Sequence, residues 1–307
     1  MKDLWVEKYR PTNVGEYVFK DDSQRKQVQN WIDDKGIPHL LFSGSPGTGK
    51  TTLAKVLIAE LNVEKADVLY INASRDNGVE MIRKRISAFS ETMPWGEFKI
   101  ILLDEADHIS PEGQAALRGV MEQYHATVRF ILTCNYPNMI IPALHSRCQG
   151  FHIEELDHTD FTVRVGEILA QNAVEFDIET LDAMVRANYP DLRKTINTVQ
   201  MTIVDNKLAM PEDGGSSSEW RLAMVELFRS GKIQDARKLI IKSARADEYN
   251  DIFSWLYKNL DLYTKNDFQY DSCVLAIREG MIKHTQVADP EINLSATMIE
   301  LARTLNE

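Results

Sequence analysis

Cysteine is scarce in this chain: Cys134, Cys148 and Cys273 are the only three in 307 residues, and no two form a C-x-x-C pair. That argues against a disulfide framework and a cysteine zinc module, and the three read as reduced, buried thiols. Long apolar runs are also missing. No stretch approaches the roughly 18 apolar residues of a membrane-spanning helix, so no membrane partner is expected. The segment Met1 to Tyr17 mixes polar and aromatic residues, with neither an apolar stretch nor a small-residue cleavage pattern. No secretory signal is therefore expected, and the cytoplasm is the expected location. The seven histidines show no metal-ligand spacing. What remains is 44% hydrophobic and 26% charged residues, ordinary for a globular protein with real cores and long enough for two or three domains.

Positive charge is in deficit, with a net charge of −11, but the deficit is uneven. Residues 1–150 carry a net −1 and residues 151–307 a net −10. A local basic surface in the first half can still meet a phosphate backbone. That half alternates β-rich runs (Leu40–Ser43, Val68–Asn72, Lys99–Leu103, Arg129–Cys134 and a short one near Phe151–Ile153) with helical stretches at about Lys50–Leu61, Asn77–Ser90 and Pro111–Tyr124. Ile100-Ile101-Leu102-Leu103 is apolar without alternation, as in a strand covered on both faces. Ser110 before Pro111 supplies a helix cap and a first-turn proline. The pattern predicts an α/β, doubly wound parallel sheet with ligand loops at the carboxyl ends of its strands. After Phe151 the β-rich runs stop, and Thr159–Asn172, Glu179–Asn188 and Asp191–Val204 predict a small all-α unit. Residues 211–218 (Pro-Glu-Asp-Gly-Gly-Ser-Ser-Ser) read as a linker, with a further helical region beyond. The expected domains are 1–153, 154–210 and 219–307.

Gly44-Ser45-Pro46-Gly47-Thr48-Gly49-Lys50-Thr51, followed by Thr52, satisfies the phosphate-loop pattern G-x-x-x-x-G-K-[ST] between a strand and a helix. Its glycines let successive N–H groups converge on phosphates, and the following helix adds its positive end. Lys50 is placed to reach the β- and γ-phosphates of ATP, and Thr51 to give its hydroxyl to Mg²⁺. Ile100-Ile-Leu-Leu-Asp104-Glu105 ends a buried strand in two carboxylates. Asp104 suits a Mg²⁺ ligand and Glu105 the polarisation of an attacking water.

Further motifs follow in order: Leu4-Trp-Val-Glu-Lys-Tyr-Arg-Pro11, Ile71-Asn-Ala-Ser74, Asp104-Glu-Ala-Asp107, Gln114-Ala-Ala-Leu-Arg118 with Met121-Glu122, Asn135, Ser146-Arg-Cys148 and Arg193. Together, over about residues 3–205, they resemble an AAA+ ATPase of the sliding-clamp-loader group, with an opening like that of the loader small subunits. The resemblance implies hydrolysis of ATP with Mg²⁺, used to open a sliding clamp and place it on primer–template DNA without sequence readout. It assigns Asn135 as sensor 1, Arg193 as sensor 2, and Arg147 as an arginine finger reaching the neighbouring subunit's site. Val6, Tyr9, Arg10 and Pro11 are implied to lie along the adenine, and Asn72 to restrain Glu105 until DNA is bound. Residues 219–307 are assigned by position as an oligomerising collar. Tyr189-Pro-Asp-Leu-Arg193-Lys-Thr, with the chain's length and compact third region, looks more like the ATPase subunit of the T4-type bacteriophage loader. That likeness implies four copies assembled with one different subunit. Another AAA+ DNA motor and a non-catalytic ATP-binding scaffold stay open as alternatives.

Arg83-Lys84-Arg85, Gln114 and Arg118 are the candidates for backbone phosphates and for relaying DNA binding to Glu105. Ile82, Ile86 and Phe89 form an apolar stripe at helical spacing, the usual mark of a core face. The resemblance places the clamp contact at the end of that helix, where Phe89, Met93 and Trp95 are the candidate anchors.

Overall fold

The computed structural model describes residues 4–75, 78–209, 227, 232–243, 249–258, 260–284 and 286–306. It divides into two compact units, 1–210 and 211–307. The first opens with α1 (Trp5–Lys8) and α2 (Asp22–Asp33). Helix α2 is absent from the sequence reading, although Asp21 caps it by accepting from the Gln24 N–H and Val28 and Trp31 supply its buried face. The chain then alternates strand and helix: β1 (Leu40–Ser43), α3 (Lys50–Glu60), β2 (Val68–Asn72), α4 (Val79–Met81) running through a π-helical turn (Ile82–Ile86) into α5 (Ser87–Glu91), β3 (Lys99–Asp104), α6 (Pro111–Gln123), β4 (Val128–Cys134), α7 (Pro142–His145) and β5 (Gln149–His152). The five strands form one parallel sheet in the order β2-β3-β4-β1-β5.

The sheet is covered on both faces because alternate residues point to opposite sides. Leu41, Ile71, Ile101, Leu103, Phe130 and Leu132 face a core shared with Leu117, Val120 and Met121 of α6 and with Ile82 and Ile86. Leu40, Phe42, Ile100, Leu102 and Ile131 face the opposite core, shared with Leu53, Val56 and Leu57 of α3 and with Val28 and Trp31 of α2. Each such side chain contributes about 1.5–3 kcal/mol when fully buried. The apolar run at 100–103 is buried throughout, as its lack of alternation predicts. Ser110 caps α6 by accepting from the Gly113 N–H at 3.1 Å.

Beyond the sheet come α8 (His158–Gln171), α9 (Ile178–Asn188) and α10 (Leu192–Met201). Two expectations are corrected here. The last helix stops at Met201 rather than Val204, and strand structure does not end at Phe151. Ile203–Val204 (β6) pairs antiparallel with Lys207–Leu208 (β7) across a turn in which Asp205 and Asn206 both have positive φ. The tight β-turn at Asp205-Asn206 outcompetes helix continuation. Asp191 is the cap of α10 and accepts from the Lys194 N–H, so it precedes the helix instead of opening it. Trp5 of α1 is buried among Phe161, Val165, Ile168, Val185, Ile196 and Val199. Its backbone N–H donates to Gln200 at 3.0 Å, and Tyr9 accepts at its hydroxyl from Asn172 at 2.7 Å. The opening segment is thus a part of the core of these three helices.

The expected linker at 211–218 lies outside the described residues. The second unit packs α11 (Ile233–Ser243), α12 (Tyr249–Lys258), α13 (Asp267–His284) and α14 (Pro290–Asn306) around Phe253, Leu256, Cys273, Ile277, Leu294 and Met298. Helices α13 and α14 meet closely at Gly280, whose carbonyl accepts from Asn293 at 2.8 Å. A Cβ there would stand 2.4 Å from Thr297 Oγ1. Gly280→Ala is expected to destabilise this unit by about 1–3 kcal/mol through overpacking, despite alanine's better helix propensity. Chemical denaturation followed by circular dichroism measures it, and an unchanged or raised midpoint would contradict the close packing.

Candidate nucleotide site

The phosphate loop connects β1 to α3, whereas the acidic pair ends β3, and β4 lies between these two strands in the sheet. The carboxyl ends of β1, β4 and β3 therefore form one crevice, as expected where a doubly wound sheet reverses its winding. Thr133, near the end of β4, bridges it. Its hydroxyl donates to Asp104 Oδ1 at 2.6 Å and accepts from the Glu105 N–H at 3.0 Å. From the other side Thr51 donates to the same Oδ1 at 2.6 Å. Tyr70 on β2 donates to Asp104 Oδ2 at 2.9 Å. Burial, and then the bond to Asp104, push the Tyr70 phenol up to about 12, so it stays a donor. Glu105 adopts a left-handed backbone with φ of 57°, a costly conformation for a non-glycine residue and one that recurs at functional sites.

Lys50 is 7% exposed. Its ammonium donates to the carbonyl oxygens of Gly44 at 2.8 Å and Ser45 at 2.7 Å, and it has no ion pair among the described residues. Burial pulls its pKa down to about 8, with Arg193 adding repulsion. A buried cation satisfied only by carbonyls is matched to an incoming anion. Gly47 has φ of 78°, and a Cβ there would lie 2.2 Å from Asp191 Oδ1, so both backbone shape and space restrict this position to glycine. Thr48 closes the loop by donating to the Ser45 carbonyl at 2.9 Å, and Ser45 donates to Glu155 at 3.0 Å.

Two adjoining clefts share Gly47, Gly49, Thr52 and Arg193. The polar one is bounded by Pro46, Lys50, Thr51, Asp104, Glu105, Thr133 and Asn135. The other is more apolar and is bounded by Val6, Tyr9, Arg10 and Pro11 together with Tyr17, Phe161, Leu192 and Ile196. The pair suits a triphosphate joined to a planar base. Thr51 and Asp104 present hard oxygen donors 2.6 Å apart beside the phosphate loop, a donor set that fits Mg²⁺.

The structure thus brings together the phosphate loop, Asp104, Glu105, Asn135, Arg193 and the opening motif. Arg147 lines neither cleft of its own chain. It donates to the Ala143 carbonyl at 2.7 Å and pairs with Glu122, which Arg118 also approaches at 3.8 Å. The Asn72 amide oxygen accepts from Ser74, while its backbone pairs with Asp104 across β2 and β3.

Two expected contacts need correction. Gln114 is 1% exposed and does not share the solvent face of Arg118. It donates to the carbonyls of Ile109 and Met139, both at 3.0 Å, and accepts from the Ile141 N–H at 2.8 Å. It therefore ties the loop after β3 to the loop after β4 and does not reach a phosphate backbone. Phe89 packs partly buried against the core beneath the Lys99 ammonium, 4.5 Å from its ring centroid, so it is no free anchor. Met93 and Trp95 are 79% and 84% exposed. Lys84 and Arg85 are exposed, and Lys84 pairs with Glu80 at 3.1 Å. The Arg83 side chain lies outside those described.

Sequence reading missed Thr133, whose only signal is a hydroxyl in the apolar run Phe130-Ile-Leu-Thr-Cys134. It also missed Tyr70, and Asp107, whose Oδ2 accepts from the N–H groups of Asn135 at 2.9 Å and Tyr136 at 3.0 Å and so fixes the turn carrying Asn135. Phe161, Leu192 and Ile196 carry no signal separable from a helix core.

Fold and site together define a P-loop ATPase of the AAA class, and residues 40–154 match the family described as ATPase family associated with various cellular activities (AAA). Over 98% of its length the chain is 34% identical to the replication factor C small subunit of Methanococcus vannielii, covering 99% of that protein. It is 33% identical to that of Thermofilum pendens, covering 98% of this chain and 97% of that one. The chain belongs to the replication factor C small-subunit family, the clamp-loader group that its opening motif resembles. These relatives are archaeal, and the closer likeness to a T4-type bacteriophage subunit finds no support in them. A short motif at 189–195 weighs less than identity along the whole chain. Among solved structures the Thermotoga maritima RuvB Holliday junction branch migration motor aligns with a TM-score of 0.56 at 12% identity, over 72% of this chain and 79% of that one, which shows a shared fold.

Bound phosphates favour protonated Lys50 and raise its pKa above the free value of about 8. Binding of a non-hydrolysable ATP analogue is therefore expected to take up a fraction of a proton at pH 8.5 and to weaken as pH rises through 8. Calorimetry in buffers of different ionisation enthalpy measures the uptake. Equal heats in all buffers would contradict a depressed Lys50.

Proposed function

We propose that this chain couples ATP binding and hydrolysis to opening a sliding clamp and placing it on primer–template DNA, working as one of several copies with a different loader subunit. Four copies with one such partner is the count the bacteriophage likeness implies. The cytoplasm is the proposed location. The division proposed is an ATPase domain to 153, a lid to 210 and a collar from 219. The observation that carries the reading is a nucleotide site complete in every element except an arginine finger, with Arg147 outside both of its chain's own clefts. A neighbour's Arg147 supplies the missing charge, so the active site is shared between copies.

In this reading the adenine lies between the opening motif and α10, and the triphosphate lies on the loop with Lys50 between its β- and γ-phosphates. Thr51 and Asp104 would hold Mg²⁺, which when bound would supply neutralisation of phosphate charge. Glu105 orients the attacking water, and Asn135 and Arg193 contact the γ-phosphate. Primer–template DNA lies against Lys84, Arg85 and Arg118, with Arg83 assigned by sequence alone. Gln114, joining the loops after β3 and β4, relays its arrival toward Glu105. Asn72 restrains Glu105 beforehand. ATP favours the assembly state that grips clamp and DNA, and hydrolysis releases both.

ATP turnover by the assembled complex is expected to need both primer–template DNA and the cognate clamp for full stimulation. Stimulation by DNA alone points to a translocase, and no turnover points to a scaffold. Arg147→Ala is expected to lower turnover about a thousandfold while sparing ATP binding. Full activity in that variant would remove the shared-site reading.

The clamp contact is assigned to Met93 and Trp95, presented on a loop whose Trp95 and Gly96 N–H groups both donate to buried Asp67 at 2.8 Å. A pinned, exposed tryptophan suits a buried anchor in an interface. Trp95→Ala is expected to weaken clamp binding about tenfold or more in surface plasmon resonance. Unchanged affinity there would move the contact elsewhere.

A further inference from the structure

We propose that Tyr70 is a positioning residue for the metal-binding carboxylate: its phenol fixes Asp104 Oδ2 and so sets how tightly the site holds its divalent cation. The inference rests on the reading of Asp104 as a Mg²⁺ ligand. Asp104 Oδ1 is held by Thr51 and Thr133, both at 2.6 Å. Oδ2 receives the Tyr70 hydroxyl at 2.9 Å. The carboxyl torsion of an aspartate is a broad, soft one, so bonds to one oxygen leave the plane of the group free to rock. A donor on the second oxygen, coming from a different strand, removes that freedom.

The geometry is specific to where Tyr70 stands. It lies on the edge strand β2, paired in register with Leu102, two residues before the Asn72–Asp104 pair. Its side chain must therefore run along the sheet toward the carboxyl ends to reach Asp104. It is 44% exposed, with the Lys55 ammonium 5.3 Å from its ring centroid, so packing alone does not account for its orientation. Tyr70 lines neither cleft, so it acts on the nucleotide and cation through a residue it touches. Asp104 is the one of these that lines the polar cleft and accepts the tyrosine's hydrogen bond. Hydrogen bonds from outside onto metal ligands typically contribute 10–100-fold in affinity. With two other donors on Asp104, the lower end applies.

The test is Mn²⁺ binding by electron paramagnetic resonance, with a non-hydrolysable ATP analogue, in the full chain and in Tyr70→Phe and Asp104→Asn. Phenylalanine keeps the ring and suits an edge strand. For Tyr70→Phe, thermal melting and analogue binding in chelator are expected to match the parent, which separates positioning from folding. Tyr70→Phe is expected to weaken Mn²⁺ about tenfold, and Asp104→Asn more strongly. In the assembled complex Tyr70→Phe is expected to raise the Mg²⁺ concentration for half-maximal turnover by the same factor, while its kcat at saturating Mg²⁺ stays within about twofold. Unchanged Mn²⁺ affinity in Tyr70→Phe, with Asp104→Asn impaired, overturns the role of Tyr70 alone. Unchanged affinity in Asp104→Asn overturns the metal-site reading beneath it.

Discussion

Three hydroxyls from three separate segments end on one carboxylate, and the organisation of this protein follows from that convergence. Thr51 comes from the first turn of α3, Thr133 from β4 and Tyr70 from β2, and all donate to Asp104 at the end of β3. A buried carboxylate is costly unless it is hydrogen-bonded, so Asp104 is stabilised only when these segments arrive together. Strand β4, lying between β1 and β3, sets the distance that Thr133 spans, and through its second bond to the Glu105 N–H it also holds a left-handed residue in place. The phosphate loop, the acidic pair and β4 thus form a single bonded unit.

Around that unit the polar and apolar parts of the site are made differently. The phosphate end is local: backbone shape at Gly47, the helix that follows, and a lysine whose charge is satisfied only by carbonyls until an anion arrives. The apolar cleft is assembled from far-apart pieces. Val6 and Tyr9 share it with Phe161, Leu192 and Ile196 because Trp5 is buried in the core of α8, α9 and α10. That helical core and the wall of the cleft are therefore one packing problem, and Arg193 reaches both clefts from α10.

Two other loops are held in shape by acids buried behind them. Asp107 fixes the backbone of Asn135 and Tyr136, and Asp67 fixes that of Trp95 and Gly96. Each is buried, and each spends one oxygen on two adjacent N–H groups, the arrangement that best holds a turn rigid without regular structure. Gln114 joins two loops differently, its amide nitrogen donating to two carbonyls and its oxygen accepting one N–H, and that is why it is buried where helical spacing suggested a surface residue.

Much of the strand order in the chain, the phosphate loop and the acidic pair at 104–105 were legible because each is a local pattern. Apolar runs without alternation, glycines before a lysine, and carboxylates ending a strand act over a few residues, and elementary chemistry limits what they can be. The helix at 22–33 and the hairpin at 203–208 were not read, since their signals are a single cap and two turn residues. The apolar stripe at 82, 86 and 89 already marked a core face, whereas the roles of Thr133, Tyr70 and Asp107 and the burial of Gln114 were decided by the tertiary structure alone. Their roles depend on which strands are neighbours, and a parallel sheet that sets β4 between β1 and β3 makes neighbours of residues far apart in sequence. By itself the sequence determined that the chain binds a triphosphate on a glycine loop. Only the folded sheet decided which hydroxyls hold the acid beside it, because hydrogen bonds reach about 3 Å and nothing in the spacing of residues 51, 70, 104 and 133 places them within that reach.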